Sequence, residues 1–509
     1  MKIIIKCILI LWIPLISSNT ITLDGNLDES EWKSSFEITQ YYEVVPFTLS
    51  PAKVKTITKI FSNEDGIYVG FVNYQENSSM ISNKSLRDEW SSNSEQNGIA
   101  IDFDSDGAKA YVFIITLANV QRDGIRMLGG SPEFDWDGDW KAQTKKYDGY
   151  WVSEFLIPWN VVLMKPEIDI KRKINITTYR YLANEKVWLN DTKTNLFRAN
   201  FLSNLRTIEI NSFSKRKLNF FPFISKTYNS VTSFNENKLG AEVFLNTGTG
   251  KQINLTINPD FGQAESDEVI VNFSAQETFY SEKRAFFNEN QSLFDLNHYD
   301  RYRIINTRRI GAGSNYLCSS TLNENDCINS KKNYTDIDYA LRYTQKNNNL
   351  DFGIFVAKES DERYSNGKDF YAIRSKKKVD NRTIGYFLTH VENNFLNESA
   401  TVNVIDFANV KSNKLTIYND LISSERDGKT GFGYRSQFNY KPTPLSRRSG
   451  SILYFDDNLI LNDFGYLKKN DWFHIGIGSD ISLIDFSKFK KIKELELGID
   501  FNYDSDISG

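Results

Sequence analysis

The segment "DIDYALRY", Asp336 to Tyr343, decides how the second half of the chain is interpreted, because its side chains alternate in character. The apolar and aromatic members occupy every second position: Ile337, Tyr339, Leu341 and Tyr343. A period of two residues is typical of a β-strand whose two faces meet different surroundings. The segment therefore predicts a strand with one apolar face and one mostly polar face.

Similar segments follow toward the C terminus, among them "LDFGIFVA", "TIGYFLTHV", "ATVNVIDF", "GFGYRSQFNY" and "FHIGIGSDI", separated by short polar connections. A soluble β-sandwich or solenoid and an outer-membrane β-barrel both fit this alternation. The barrel also accounts for the many successive hairpins and for the export that the N-terminal residues predict (see below). A closed barrel leaves no strand edge unpaired in lipid. The last run, "LELGIDFNY", has no closing strand after it, so we expect the barrel to be incomplete in this chain.

The first half has shorter strand-like runs, and we predict an antiparallel β-sandwich over residues 20–210. Runs such as "GIYVGFVNY", "AYVFIITL" and "YWVSEFLIPW" are β-branched or aromatic and are bounded by turn-forming residues. Tryptophan is frequent before residue 200, whereas only Trp472 follows. The basic stretch "SFSKRKLNFFPF" is the predicted junction, with Pro222 interrupting regular structure. The barrel-like region is then 213–509, and the fold class is all-β.

The charge balance argues against a nucleic-acid partner. Lys and Arg number 61 against 65 Asp and Glu, which gives a formal net charge of -4. A chain so nearly balanced has no summed field that attracts nucleic acid. Residues 1–18 carry two lysines and then an apolar run, which predicts a secretory signal peptide cleaved near Ser18.

The exported chain retains two cysteines and three histidines. Cys318 and Cys327 flank a polar segment, which predicts a local disulfide. The histidines lie far apart in sequence and offer little material for a zinc site or a Ser-His-Asp triad: His298, His390 and His474.

The stretch "NPDFGQAESDEVIVNF", Asn258 to Phe273, concentrates acidic residues between two strand-like runs. Glycoside hydrolysis needs two opposed carboxylates about 5–10 Å apart. The chain supplies carboxylates there and just beyond, although nothing shows that any two face each other: Asp260, Glu265, Asp267, Glu268, Glu277, Glu282 and Glu289. A hydrolase acting on O-glycosyl bonds therefore stays an alternative.

Two sets of motifs resemble known families. "ITLDGNLDESEW", "RDEW", "WDGDW" and "GYWVSEFLIPW" resemble carbohydrate-binding module family 9, a β-sandwich module found on xylanases and many exported bacterial proteins. "NPDFGQ", "EKRAFF" and "NTRRIGAG" are similar to domain-of-unknown-function family 5916, in which such a module precedes an outer-membrane barrel-like region. Ala285 stands where this family has proline, and Thr307 where it has serine. The resemblance favours the barrel over the soluble alternative.

The resemblance also implies a sugar-binding face on the sandwich. Flat aromatic rings stack on pyranose surfaces while polar groups bind the hydroxyls. The candidates for stacking are Trp188, Trp90 and Trp140, and Trp188 lies where the family has one of two aromatic clamps. Their alternative role is core or rim packing. Arg87 and Arg122, each followed by aspartate, are candidates for sugar hydroxyls or for structural ion pairs.

An oxygen-rich turn, "DFDSDG", makes Asp102, Asp104 and Asp106 a calcium candidate. It lacks the remaining ligands of a twelve-residue calcium loop, and Asp-Gly turns are common in ordinary hairpins. Apart from this calcium candidate, no cofactor is expected. The expected function is capture of polysaccharide or oligosaccharide by a protein in contact with outer-membrane lipid, in support of carbohydrate uptake or catabolism. A structural envelope barrel without sugar binding is the second alternative.

Overall fold

The computed structural model shows an all-β protein built from antiparallel sheets, as predicted. It describes residues 21–89, 93–127, 132–134, 136–167, 169–198, 201–229, 234–260, 277, 280, 282–288, 293–298, 301–313, 316, 318, 324–329, 331, 334–379, 382–393, 397–412, 414–484, 486 and 492–508. The predicted signal peptide and Trp90 lie outside these residues.

The described residues of the N-terminal half form thirteen strands: β1 (Phe36–Ile38), β2 (Tyr42–Val45), β3 (Thr56–Ser62), β4 (Gly66–Tyr74), β5 (Gln96–Asp102), β6 (Lys109–Thr116), β7 (Gln121–Met127), β8 (Pro132–Glu133), β9 (Lys141–Tyr147), β10 (Tyr150–Pro158), β11 (Lys171–Leu182), β12 (Val187–Asn190) and β13 (Arg206–Asn211). They form a five-stranded sheet, β1-β3-β4-β10-β9, and an eight-stranded sheet, β2-β12-β11-β5-β6-β7-β8, in which β13 also pairs with β11.

The two sheets enclose one apolar core, which makes this half the predicted β-sandwich. Side chains from both sheets alternate into the core, including Val69, Phe71 and Phe155 from one sheet and Ile99 and Phe113 from the other. Such alternation buries one face of each strand, as aligned sheet packing requires.

The second half adds strands β14 (Lys217–Asn229), β15 (Phe234–Asn246), β16 (Lys251–Ile257), β17 (Asn297–His298), β18 (Tyr302–Arg303), β19 (Ile337–Gln345), β20 (Leu350–Glu359), β21 (Asp369–Val379), β22 (Arg382–Asn393), β23 (Glu398–Ser412), β24 (Leu415–Arg426), β25 (Lys429–Thr443), β26 (Ser446–Phe455), β27 (Tyr466–Leu467), β28 (Trp472–Leu483) and β29 (Leu495–Ser505). Two short helices are α1 (Ala285–Asn288) and α2 (Glu324–Asn329), and single 3-10 turns span Ser30–Ser34, Asn77–Ser79, Leu202–Asn204 and Thr307–Arg309.

One 13-stranded antiparallel sheet dominates this half, in the order β14-β15-β16-β19-β20-β21-β22-β23-β24-β25-β26-β28-β29. This meander is the barrel-type sheet expected from the alternating segments, and "DIDYALRY" contributes β19. In the described residues β14 and β29 each pair with one strand, and the incomplete barrel stays a prediction. Among the described residues, no helix is long and apolar enough to cross a membrane.

The position of Pro222 differs from the prediction. It lies inside β14, opposite Ala241, rather than in a break between the two halves. Proline cannot donate to a strand ladder, but β14 is an edge strand, where one side needs no donor. The chain passes from β13 to β14 between Asn211 and Lys217.

The connections of the large sheet alternate between its two ends. At one end, named here the short-connection end, the connections are 247–250, 346–349, 380–381, 413–414, 444–445 and 484–494. The longest connections, 258–336 and 456–471, belong to the opposite end. The sandwich contacts the short-connection end through ion pairs that join Asp104 to Lys346 and Arg198 to Glu494.

Parts of the two long connections pack on the inward face of the large sheet. This inner layer comprises the described residues of 282–313 and 456–467, and β18 in the first part pairs with β27 in the second. The large sheet is named here the wall. Phe286, Phe287 and Tyr302 are fully buried against wall residues such as Phe355 and Phe455. The inward face of the sheet therefore has its own core.

Candidate functional site

A cleft beside Trp188 lies on the outer face of the eight-stranded sheet. It is lined by Val44, Val45, Ile114, Tyr179, Trp188, Asn190, Thr194, Asn195, Leu196 and Phe197. The Trp188 ring packs 4.8 Å from Tyr181 and 5.9 Å from Tyr179, between centroids, and is only partly buried. Phe197 across the cleft is 55% exposed. Two large aromatic surfaces are thus within reach of a ligand.

Two buried hydroxyls line this cleft without a hydrogen-bond partner in the described part of the chain. They are Tyr179 Oη and Thr194 Oγ1, and the two residues are 6% and 0% exposed. Burial raises the pKa of Tyr179, so its hydroxyl keeps its proton. An unsatisfied buried hydroxyl costs about 1–3 kcal/mol, so a polar ligand group would be favoured here. Neither residue was predicted from the sequence. Tyr179 precedes Tyr181 by two residues and therefore lies on the same face of β11, which is the signal that could have indicated it.

Trp140 does not belong to a binding face, so that prediction is wrong. It is 4% exposed and packs 5.4 Å from Phe113 and 5.7 Å from Phe155 in the sandwich core. The ring stacks on Phe155 of one sheet and meets Phe113 of the other sheet edge-on. Core packing, the alternative role, is the one that the structure supports.

Arg87 lies among three carboxylates. Its guanidinium is 2.7 Å from Asp123, 3.0 Å from Asp137 and 3.3 Å from Asp88. These carboxylates offer oxygen atoms within 4.8 Å of one another, a spacing that could hold a metal ion. Burial, with the neighbouring acidic charges, raises the pKa of Asp123 to about 7. The Arg87 guanidinium already supplies a positive charge among these three carboxylates. This arrangement supports the structural ion-pair role of Arg87.

Arg122 lies on the outer face of the eight-stranded sheet, as Trp188 does. Its guanidinium carbon is 3.5 Å from the centroid of the Phe134 ring, and burial lowers its pKa to about 10. A cation over an aromatic face is held by the ring quadrupole. Of the predicted sugar contacts, Trp188 and Arg122 therefore share one face, while Arg87 is engaged in the acidic cluster.

The predicted calcium turn contacts lysines instead. Asp104 is 2.7 Å from Lys346 of the large sheet, and Asp106 is 3.2 Å from Lys165. Burial works to raise the pKa of Asp104, but the ammonium groups of Lys346 and Lys165 outweigh it and hold that pKa below its usual value. Burial and the Asp106 charge raise the pKa of Asp102 to about 7. Lysines thus pair with Asp104 and Asp106, and the Asp104 pair joins the two halves of the chain, while the calcium site stays a prediction.

The motifs that carry the first resemblance meet in space. Glu154, from "GYWVSEFLIPW", accepts hydrogen bonds from the backbone N–H groups of Asp24 and Gly25, both at 3.2 Å. Gly25 has φ of 79°, which favours glycine, and a Cβ there would lie 2.5 Å from Cβ of Lys145. Burial raises the pKa of Glu154 to about 8. These motif residues attach the start of the sandwich to β10 and β9.

The motifs of the second resemblance also contact each other. Arg284 of "EKRAFF" pairs with Glu282 at 2.6 Å and donates to the carbonyl oxygens of Thr307 and Ile310. Thr307 in turn donates to Glu282 at 2.6 Å. Glu282 is thus held by Arg284 and Thr307, and Glu277 pairs with Arg309 at 2.6 Å. Among the other candidate carboxylates, Glu265, Asp267, Glu268 and Glu289 lie outside the described residues. Cys318 and Cys327 are joined by a disulfide.

Charged side chains pair on the inward face of the large sheet. Arg435 Nε is 2.7 Å from Asp420, which also accepts a hydrogen bond from the Tyr302 hydroxyl of the inner layer. A second pair joins Arg374 to Asp406. These buried charges are paired, as burial requires, and Asp420 ties the inner layer to the wall.

Comparison with solved structures returns porins. The chain is 8% identical to a porin refined at 1.8 Å, covering 59% of this chain and 88% of that one with a TM-score of 0.25. A Rhodopseudomonas blastica porin mutant is 6% identical over 80% and 98% of the two chains (TM-score 0.24). Salmonella typhi OmpF in complex with daunomycin is 9% identical over 81% and 98% (TM-score 0.27). Likeness at these TM-scores carries no argument about function.

Sequence comparison gives one family. No curated protein matches the chain. Residues 214–406, which run from the start of the large sheet to Asp406 in β23, match the family described as Domain of unknown function (DUF5916).

Proposed function

We propose that the chain is an outer-membrane protein whose large sheet lies in lipid. The observation that carries this proposal is the contrast between the two faces of that sheet. Outward side chains are apolar and exposed along successive strands: Ile384, Ile405, Leu421, Phe432, Ile452, Ile477 and Ile499. Inward side chains of the same strands include buried ion pairs and the inner-layer core. Lipid-facing strands show this pattern of apolar outward and polar inward residues.

Replacing Leu421 by arginine is expected to weaken insertion into bilayers. Leu421 lies near the middle of β24 and is 55% exposed on the outward face. Arginine at a bilayer midplane costs about 2–4 kcal/mol, falling to about 0–1 kcal/mol near the interfaces. Urea titration of folding into lipid vesicles measures this loss.

The matched control is Leu415→Arg, because Leu415 begins β24 and lies on the same face six residues earlier. We expect this variant to lose much less of the free energy of folding into vesicles than Leu421→Arg does. Equal losses in the two variants, or folding of the wild type that is indifferent to vesicles, would contradict a membrane location for the sheet.

We further propose that the sandwich captures carbohydrate at the Trp188 cleft. The cleft supports this proposal with a partly exposed indole, the Phe197 ring and two buried hydroxyls without partners. Aromatic surfaces with a few placed polar groups are typical of small-ligand sites, and the motif resemblance to sugar-binding modules agrees. The ligand would be an oligosaccharide or the end of a polysaccharide.

Trp188→Ala is expected to weaken glycan binding by about 2 kcal/mol or more, roughly 30-fold in Kd, because truncation removes the main stacking surface. Calorimetric titration of the detergent-solubilised full-length protein against a glycan panel measures this. Tyr179→Phe and Thr194→Val keep the shape of the cleft, and each should cause a smaller loss.

Tyr74→Ala is the control, since Tyr74 is an exposed aromatic residue of the other sheet. It should bind like the wild type. If the wild type binds no glycan of the panel, or if Trp188→Ala binds equally well, the sandwich has another role and the envelope barrel without sugar binding is favoured.

The contacts between the two halves suggest where the captured sugar would lie. In outer-membrane barrels the periplasmic turns are short and the extracellular loops are longer. The sandwich contacts the short-connection end, which favours a periplasmic sandwich. Arg198, which follows the cleft residue Phe197, pairs with Glu494 at 2.7 Å. The cleft therefore adjoins the large sheet, an arrangement suited to uptake.

A further inference from the structure

Three polar side chains form a hydrogen-bonded line on the inward face of β26, β28 and β29. Ser451 Oγ lies 3.3 Å from His474 Nε2, and His474 Nδ1 lies 2.9 Å from Asp504 Oδ1. The strand register explains this proximity, because His474 is directly opposite Asp504 and Ser451 is opposite Gly476, two residues from His474. The three residues are brought together by strand pairing from separated places in the sequence.

The neighbours of His474 select one tautomer. Arg301 Nη2 lies 3.3 Å from His474 Nε2, and a guanidinium can only donate, so Nε2 is an acceptor. The ring proton is then on Nδ1 and is donated to Asp504. This is the tautomer in which a histidine can take a proton from a serine hydroxyl while a carboxylate holds its other nitrogen.

Gly476, opposite Ser451 on β28, lets the serine and the histidine approach each other. A Cβ at Gly476 would be 3.0 Å from Ser451 Oγ and 3.1 Å from His474 Nε2, and 2.8 Å from Asn502 Oδ1. A Cβ would crowd all three polar atoms, so a residue larger than glycine would push Ser451 and His474 apart. Ser451 is partly exposed and Asn502 is exposed, so an ester would reach Ser451 from the β29 side.

The geometry points to a serine esterase site in the wall of the large sheet, with Ser451 as nucleophile, His474 as general base and Asp504 as the positioning residue. The substrate class is a carboxylic ester, tested below with acetyl esters. This inference goes beyond carbohydrate capture and does not depend on it.

The chemistry follows the arrangement of these atoms. When the ester binds, the Arg301 guanidinium turns from His474 Nε2 to the ester carbonyl oxygen, which frees the one lone pair of Nε2. Ser451 Oγ then bonds to the carbonyl carbon as its proton passes to Nε2, and Arg301 stabilises the oxyanion. The carbon–oxygen bond to the alcohol breaks, and the alcohol leaves with the proton from His474. Water then attacks the acetyl-serine through the same base, which releases acetate and restores Ser451.

The test uses the detergent-solubilised full-length protein with a fluorophosphonate probe and with p-nitrophenyl acetate. We expect the probe to label Ser451 and p-nitrophenyl acetate to be hydrolysed. Ser451→Ala should abolish both, and His474→Gln should lower turnover by about 10²–10⁴-fold, the usual contribution of a general base. Asp504→Asn should lower turnover, and Asp504→Glu should restore part of it because a carboxylate still holds Nδ1.

Ser449→Ala is the matched control, since Ser449 lies on the same face of β26 two residues earlier. It should react like the wild type. A wild type inert to both reagents, or Ser451→Ala labelled as strongly as the wild type, would overturn the proposal. Acetate release from acetylated xylan and from triacetin distinguishes a sugar alcohol from another alcohol, and neither readout requires the Trp188 cleft.

Discussion

Replacement of Lys346 by methionine is expected to loosen the contact between the sandwich and the large sheet by about 3–5 kcal/mol, the usual cost of leaving one member of a buried pair without its partner. Lys346 and Asp104 have side chains only 7% and 8% exposed, with 2.7 Å between Nζ and Oδ2. The variant leaves Asp104 buried with less positive charge around it. Hydrogen exchange at residues 102–107 and 344–350 should report the lost protection.

Lys378→Met is the matched control. Lys378 is 31% exposed and lies 3.8 Å from Asp106, so its removal should cost about 1 kcal/mol or less. Similar protection in wild type and Lys346→Met, or equal losses in the two variants, would show that the buried pair does not hold the halves together.

The same pair sets the pH range of this contact. The pKa of Asp104 is lowered, so its contribution is complete above the ordinary aspartate pKa and is lost as the pH falls through the lowered value. Burial lowers the pKa of Lys346, but Asp104 outweighs it and raises that pKa. The lysine contribution is therefore complete below the ordinary lysine pKa and is lost as the pH rises through the raised value. The contact should be firmest between these two limits.

Asp420→Ala is expected to destabilise the large sheet by about 3–5 kcal/mol. Asp420 is 2% exposed, accepts from Arg435 at 2.7 Å and accepts from the Tyr302 hydroxyl of the inner layer. Its loss leaves a buried guanidinium without its carboxylate and frees one attachment of the inner layer. Urea unfolding in detergent, followed by heat-modifiable gel migration, measures the change.

The double variant Asp420→Ala/Arg435→Met removes both charges and is the control. Replacing a buried pair by apolar groups is often nearly neutral, so the double variant should recover much of the loss. A double variant as unstable as the single one would mean that the ion pair itself, rather than an uncompensated charge, accounts for the effect.

The fold class was predictable because two-residue alternation is a local property of each strand. "DIDYALRY" became β19 for this reason. The inner layer was not predicted, because Phe286 and Phe287 in "EKRAFF" do not belong to a periodic apolar pattern that would indicate burial. Their segment packs against strands of the large sheet that precede and follow it in the chain, through Phe244 of β15 and Phe355 of β20.

The sites were less predictable than the fold, because they depend on register and on distant contacts. "WDGDW" reads as an exposed turn, yet Trp140 enters the core between Phe113 and Phe155. Lys346 lies 242 residues from Asp104, so no local pattern links them. His474 appeared isolated in the sequence, whereas antiparallel pairing places Ser451 and Asp504 on either side of it.

The contact between Asp104 and Lys346 has a consequence for the order in which the exported chain assembles. In the part of the chain that the structure describes, the sandwich strands pair only within their own two sheets, so these sheets need no later strand. Lys346 lies in the connection between β19 and β20. Until this hairpin has formed, Asp104 cannot pair with Lys346 and stays hydrated. We therefore expect an assembly intermediate with a folded sandwich on a flexible tether, which docks only after the hairpin bearing Lys346 has formed.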